Sequence, residues 1–105
     1  LILNKKFVEE NPITAAKLTM AHKEASDWIE DNKKEAAQLM NNNNWGSGDV
    51  ESDFKFLQTY NFKVSDEQTA ETLTNVLNDY KEFKLINASL DTNKTLAKIW
   101  HPMKN

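Results

Sequence analysis

Apolar residues recur along most of this chain at steps of three and four, the spacing that lays a stripe along one side of an α-helix. Asn11-Pro12 supplies an N-cap and then Pro at the first helical position, where its missing N–H would be unpaired anyway, so a helix is predicted from Ile13 to about Asp31. Ala15, Leu18, Ala21, Ala25, Trp28 and Ile29 define its expected buried face, with Lys17, Lys23, Glu24 and Glu30 mainly away from it. Asn32 with Glu35 three positions later has the form of a capping box and opens a short second helix carrying Ala36, Ala37, Leu39 and Met40. Asn41 to Asn44 break the pattern and Trp45-Gly46-Ser47-Gly48 continue the break. Both glycines of the chain fall here, so this stretch is the expected hinge or mobile loop between two helical halves.

Asp49 or Ser47 is placed to cap a third helix through Val50, Phe54 and Leu57, and Asn61-Phe62-Lys63-Val64 reads as an extended connector. Ser65 with Gln68 forms the clearest capping box; the helix behind it runs to about Lys84 with Ala70, Leu73, Val76, Leu77, Tyr80 and Phe83 on one face. Asp91 or Thr92 caps a last helix with Leu96, Ile99 and Trp100 inward before Pro102 stops it. At the other end, Leu1 to Val8 start apolar and turn polar, which suits a brief strand or an extended lead-in. The expected architecture is mainly α, about five helices behind a short N-terminal strand or extended segment, forming one unit over residues 1–105.

Charge changes the list of partners. The formal net charge is −3 and the pI about 5.3, so the long-range field repels phosphate backbones and nucleic acid is a poor partner. All thirteen basic residues are Lys, which leaves no side chain suited to bidentate phosphate or carboxylate recognition. The absence of Cys removes disulfides, thiolate nucleophiles and Cys-rich zinc sites. Apolar runs are only a few residues long, far short of the ~20 that cross a bilayer. A start at Leu1, without Met or a charged leader region, reads as a cut, with no signal peptide visible.

Candidate chemistry is sparse. His22 lies in line with Leu18 and Ala25 and is expected as a packing histidine, while His101, ahead of Pro102, is expected at the surface or at a helix end. The carboxylate pairs Glu9-Glu10 and Glu30-Asp31 sit beside helix ends among lysines, as solvated faces do. Ser47 and Ser65 lack a neighbouring His and serve better as caps; Gly46-Ser47-Gly48 lacks the Lys and the preceding strand of a phosphate loop. Trp28 and Trp100 fall on helical stripes and are expected in cores, whereas Trp45, in the glycine-bearing loop, is expected to dock against a neighbouring lobe. No catalytic residue, metal ligand or cofactor is assigned, and an enzyme is not expected.

One resemblance sharpens this. Lys6-Phe7-Val8-Glu9-Glu10-Asn11-Pro12, then Ala15-Ala16-Lys17-Leu18, then Ala25 to Ala37 through Trp28-Ile29-Glu30-Asp31-Asn32-Lys33-Lys34-Glu35, resembles the C-terminal third of ABC-transporter solute-binding proteins of the nitrate/sulfonate/taurine type, which include binders of thiamine-pyrimidine precursors. Lys33 stands where that family usually has a second Pro. Val64 to Glu67 and the helix ending Phe83-Lys84-Leu85-Ile86 are similar to the family's closing helix, which often ends in a Leu-Gly-Leu-Ile type turn whose Gly is missing here. The resemblance spans nearly the whole chain and implies a C-terminal fragment of a two-lobed α/β fold, the periplasmic-binding-protein type II fold. It also implies an extracytoplasmic protein that captures a small solute and delivers it to a membrane permease. Family ligand contacts lie mostly in earlier sequence, so no ligand-binding residue is carried over. Apolar faces made to cover a sheet would stay open in this chain, so self-association through Leu1, Ile2, Leu3 and the helix faces is expected. The alternative is a free-standing helical module that binds a partner helix or groove.

Overall fold

The computed structural model describes residues 1–103, which form six α-helices and, among the described residues, no strand. Contacts group the chain into two compact units, Leu1–Val64 and the chain from Ser65 onward.

The first unit opens with an addition to the expected helices. The lead-in covers only Leu1 to Asn4, and α1 spans Lys5–Glu10. Asn4 is extended and its side chain accepts the Phe7 N–H at 3.3 Å, while Lys5–Glu9 and Lys6–Glu10 pair one turn apart at 3.7 and 3.8 Å. The cap starts the helix; the exposed ion pairs add only tenths of a kcal/mol each, on the order of 0.3.

Pro12–Asp31 is α2 and Lys33–Asn42 is α3. Asn11 and Asn32 occupy the N-cap positions as expected, with Pro12 first in α2, but neither side chain accepts an N–H of the helix it precedes. Asn11 Nδ2 donates backward to the Phe7 carbonyl and Asn32 Nδ2 to the Trp28 carbonyl, so each side chain closes the helix behind it. Asn can do either because its amide both donates and accepts. Asn11 has φ −135°, ψ 57° and Asn32 has φ −134°, ψ 44°, so the two single-residue breaks are conformational twins. At the first the cause is Pro12, which bars helical geometry from the residue before it. At the second the same geometry precedes a lysine.

The inward side of α2 also differs from the expected stripe. Ala15 and Ser26 are buried, with Thr19, Lys23 and Ile29 half-buried, whereas Leu18, Ala21, His22, Ala25 and Trp28 are exposed. Ser26 follows Ala25, so the covered side is rotated by about 100° from the apolar one. The helix turns its smaller, more polar side inward and leaves its larger apolar groups outside.

α4 is Val50–Leu57, capped by Asp49, whose carboxylate accepts the N–H groups of Glu51 and Ser52. Ala36, Ala37 and Leu57 form the core between α3 and α4, ringed by Ile29, Met40, Val50, Phe54 and Phe62. Two adjacent alanines leave α3 without bulk on that side, which lets Leu57 of α4 pack close to it.

The glycine-bearing segment between these helices was expected as a hinge between halves; it is instead a pinned turn inside the first unit. α3 ends in a Schellman motif: the Trp45 N–H donates to the Met40 carbonyl at 2.8 Å and the Asn44 N–H to the Asn41 carbonyl at 3.1 Å, with Asn44 at φ 57°. Gly48, at φ 94°, occupies a region that side chains avoid.

In the second unit α5 spans Asp66–Glu82 and α6 spans Thr92–Ile99. Both starts were legible, since Ser65 Oγ accepts the Gln68 N–H at 3.2 Å and Asp91 accepts the Lys94 N–H at 2.9 Å. Leu77 is buried and Ala70, Leu73 and Leu96 are half-buried, but Val76, Tyr80, Phe83 and Ile99 of the expected inward faces stand exposed. Lys81 Nζ donates to Thr92 Oγ1 at 2.7 Å, and that hydroxyl donates to Asn78 Oδ1 at 3.2 Å, tying α5 to the start of α6.

α5 closes with a second Schellman motif, Leu85 N–H to the Tyr80 carbonyl at 2.8 Å and Lys84 N–H to the Lys81 carbonyl at 3.1 Å. Lys84 carries φ 60°, a left-handed conformation that costs a residue with a Cβ about 1 kcal/mol. Lys84→Gly is therefore expected to stabilise the second unit by about 0.5–1 kcal/mol. Slower amide exchange through α5 would register the gain, and an unchanged or faster rate would count against it.

Candidate functional site

The residues that suggested chemistry do not converge. His22 and His101 are both exposed, so His22 is not the packing histidine its stripe implied. Glu9 and Glu10 are exposed and paired to Lys5 and Lys6. Ser47 Oγ accepts the Asp49 N–H at 3.3 Å, and Ser65 caps α5. Trp28 is 41% exposed and Trp45 72%, against the core position expected for the first. Trp100 is half-buried. Among the described residues no group of three His, Cys, Asp or Glu side chains comes together, and no helix is long and apolar enough to cross a membrane.

Two polar nodes organise the first unit instead: Glu30, expected on a solvated face beside Asp31, is half-buried and bonded, and Asp53 carries no signal in the sequence. Glu30, at the end of α2, accepts the Phe62 N–H at 2.8 Å and pairs with Lys33 at 3.2 Å; Lys33 Nζ donates in turn to the Tyr60 carbonyl at 2.8 Å. The strand-like connector after α4 is thereby fastened to the α2–α3 break. The Phe62 N–H first, and Lys33 with it, hold the Glu30 carboxyl below its ordinary 4.5.

Asp53 of α4 forms the second node. Its carboxylate accepts the Ser47 N–H at 3.0 Å and Asn41 Nδ2 at 2.6 Å, and Asn41 Nδ2 also reaches the Ala37 carbonyl at 3.0 Å. The Ser47 N–H is the main reason Asp53 titrates below its usual 3.8. Asp49 is likewise held low, first by the Ser52 hydroxyl and then by the N–H groups it caps.

These three depressed carboxyls fix the sign of an acid response. Each has a higher pKa in the unfolded chain, so the unfolded state binds more protons in the acid range and stability falls as pH falls. The contribution is complete above about 4.5 and is lost as the pH drops through the folded-state values. The thermal midpoint is expected to decline from pH 5 to 3, by less in Glu30→Gln; a midpoint flat over that range would contradict the assignment.

A shallow open depression of about 550 Å³ lies beside the first node, lined by Glu30 to Glu35, Phe54 and Gln58. Its walls are mixed in charge, with Lys34 Nζ 5.9 Å from the Phe54 ring centre.

The larger feature is apolar. Sixteen large hydrophobic side chains are exposed among the described residues, including Ile13, Leu18, Met20 and Trp28 of α2, Val76 and Tyr80 of α5, and Phe83 at the C-cap of α5. Scattered apolar side chains are ordinary on a protein surface, as on α2, whereas Val76, Tyr80 and Phe83 recur at helical spacing on one exposed side. Phe56 and Tyr60 add an aromatic pair, edge to face at 5.2 Å and both at least half exposed. No family model matches this chain, and no curated protein or solved structure matches it.

Proposed function

We propose that this chain is the C-terminal helical part of an ABC-transporter solute-binding protein, a non-catalytic cover on a two-lobed extracytoplasmic protein that captures a small solute and delivers it to a membrane permease. The observation carrying this reading is a backbone one. At the two places where the sequence departs from the pattern it resembles, the backbone has a non-helical form that would accommodate the missing residue. Lys33 replaces a Pro, and Asn32 before it has the dihedrals of Asn11 before Pro12. Lys84 replaces a Gly, and takes φ 60°. The uncovered apolar faces add support, because helices that lie on a sheet need such faces.

The solute class is nitrate, a sulfonate such as taurine, or a pyrimidine, selected by residues outside this chain. In a thermal-shift screen the full-length polypeptide is expected to be stabilised by one of these classes, by about 2.7 kcal/mol at a hundredfold excess over Kd, and this chain alone by none. Tight binding or turnover of a small molecule by the isolated chain would overturn the proposal.

A free-standing helical interaction module is the second reading. It is favoured by the core that α3 and α4 build for themselves from Ala36, Ala37 and Leu57. A full-length polypeptide that no solute stabilises, but that a partner protein does, would favour it.

A further inference from the structure

The sequence holds two Asn-x-Ser/Thr triplets, Asn87-Ala88-Ser89 and Asn93-Lys94-Thr95, the acceptor pattern for N-linked glycans. The fold treats them differently. Asn87 to Leu90 make a single turn between α5 and α6, closed by the Leu90 N–H on the Asn87 carbonyl at 3.1 Å. Asn87, Ala88 and Ser89 are all exposed. Within the turn, Asn87 Oδ1 accepts both the Ser89 N–H and the Ser89 hydroxyl at 2.9 Å. The carboxamide and the hydroxyl therefore already lie together, and Asn87 Nδ2 makes no hydrogen bond among the contacts of this turn.

Asn93 and Thr95 sit in the first turns of α6. Residues two apart on a helix point to different sides, so the Thr95 hydroxyl cannot meet the Asn93 carboxamide while α6 is formed. Drawing that triplet into a transferase would undo the Asp91 cap on the Lys94 N–H and the bond from the Thr95 N–H to the Asp91 carbonyl. Opening the Asn87 turn leaves both helices intact.

We propose that Asn87 is an N-glycan acceptor of the folded protein and that Asn93 is not. The donor is a lipid-linked oligosaccharide phosphate. Asn87 Nδ2 forms a bond to the anomeric carbon, the bond from that carbon to the phosphate oxygen breaks with its electron pair leaving on the phosphate, and Nδ2 gives up one proton to a base of the transferase and thence to solvent. The site stands on local geometry and does not require the transport reading, although an extracytoplasmic route is where such a donor would be met.

The test uses the purified full chain and an oligosaccharyltransferase that modifies a free Asn87-Ala88-Ser89 peptide, with a lipid-linked oligosaccharide donor. Peptide mass spectrometry is expected to find glycan on Asn87 of the folded chain, lost in Asn87→Gln and in Ser89→Ala and kept in Asn93→Gln. After urea denaturation Asn93 is expected to become modified as well. An unmodified Asn87 in the folded chain, or equal modification of Asn93 there, would overturn the proposal. Neither result bears on solute binding, so the two proposals fail separately.

Discussion

Leu57→Ala is expected to cost the first unit roughly 2–4 kcal/mol, the largest effect of any single truncation considered for it. Leu57 is 7% exposed and faces Ala37, which is 0% exposed, so its loss leaves a void that two methyl-bearing neighbours cannot fill. The ring of half-buried groups around it, Ile29, Val50, Phe54 and Phe62, would lose its common contact. Phe56→Ala, one position earlier on the same helix, is the control. Its side chain is 60% exposed, and its truncation is expected to cost under about 1 kcal/mol. Urea unfolding followed by circular dichroism separates the two; equal losses would mean that α4 buries a different face from the one described.

Gly46→Ala is the second large effect, about 1–3 kcal/mol by overpacking. A Cβ on Gly46 would collide with Asp53 Oδ2 and lie 2.8 Å from Asn41 Nδ2. Asp53 would have to withdraw from the Ser47 N–H and from Asn41, and the turn between α3 and α4 would lose the group that holds it. Gly48→Ala meets nothing within 4 Å but suffers from φ 94°, so its cost is conformational and smaller, on the order of 1 kcal/mol. The order of the two, read from their urea midpoints, distinguishes a pinned turn from a loose one. If Gly46→Ala were neutral, the Asp53 node would be too soft to hold the turn.

Three helix starts were legible because side chains that serve there as acceptors stand beside free N–H groups, although Ser47 competes with Asp49 and Thr92 with Asp91 in the sequence. Asp49, Ser65 and Asp91 are acceptors beside free N–H groups, and each begins a helix as its side chain implies. Asparagine is ambiguous: Asn11 and Asn32 mark their helix starts as expected, but only the geometry decides whether the amide oxygen faces forward or, as here, the amide nitrogen faces back. α1 was hidden because its apolar content is two residues, Phe7 and Val8, and it depends on the Asn4 cap.

The buried side of α2 was misplaced for a different reason. Periodicity reports which face is apolar, not which face is covered, and in this chain the two are about 100° apart. Glu30 reads as part of a solvated face and Asp53 as nothing in particular because their partners are backbone N–H groups, that of Phe62 lying 32 positions from Glu30, and a backbone group has no signature in a sequence. A Glu–Lys pair spaced by three across a helix break, Glu30 and Lys33, is the signal that could have found the first node. The two glycines were read as freedom, when one answers a close approach and the other a left-handed turn.

The proposed role as a helical cover makes one general demand on this chain: its exposed apolar side chains should seek a covering surface. Light scattering of the purified chain across a wide concentration range tests this directly. The account expects the mean mass to climb above the 12.1 kDa of one chain as concentration rises, with Trp28→Lys and Phe83→Lys, at exposed positions of α2 and beyond α5, holding it down. A constant 12.1 kDa at the highest concentration reached would contradict it.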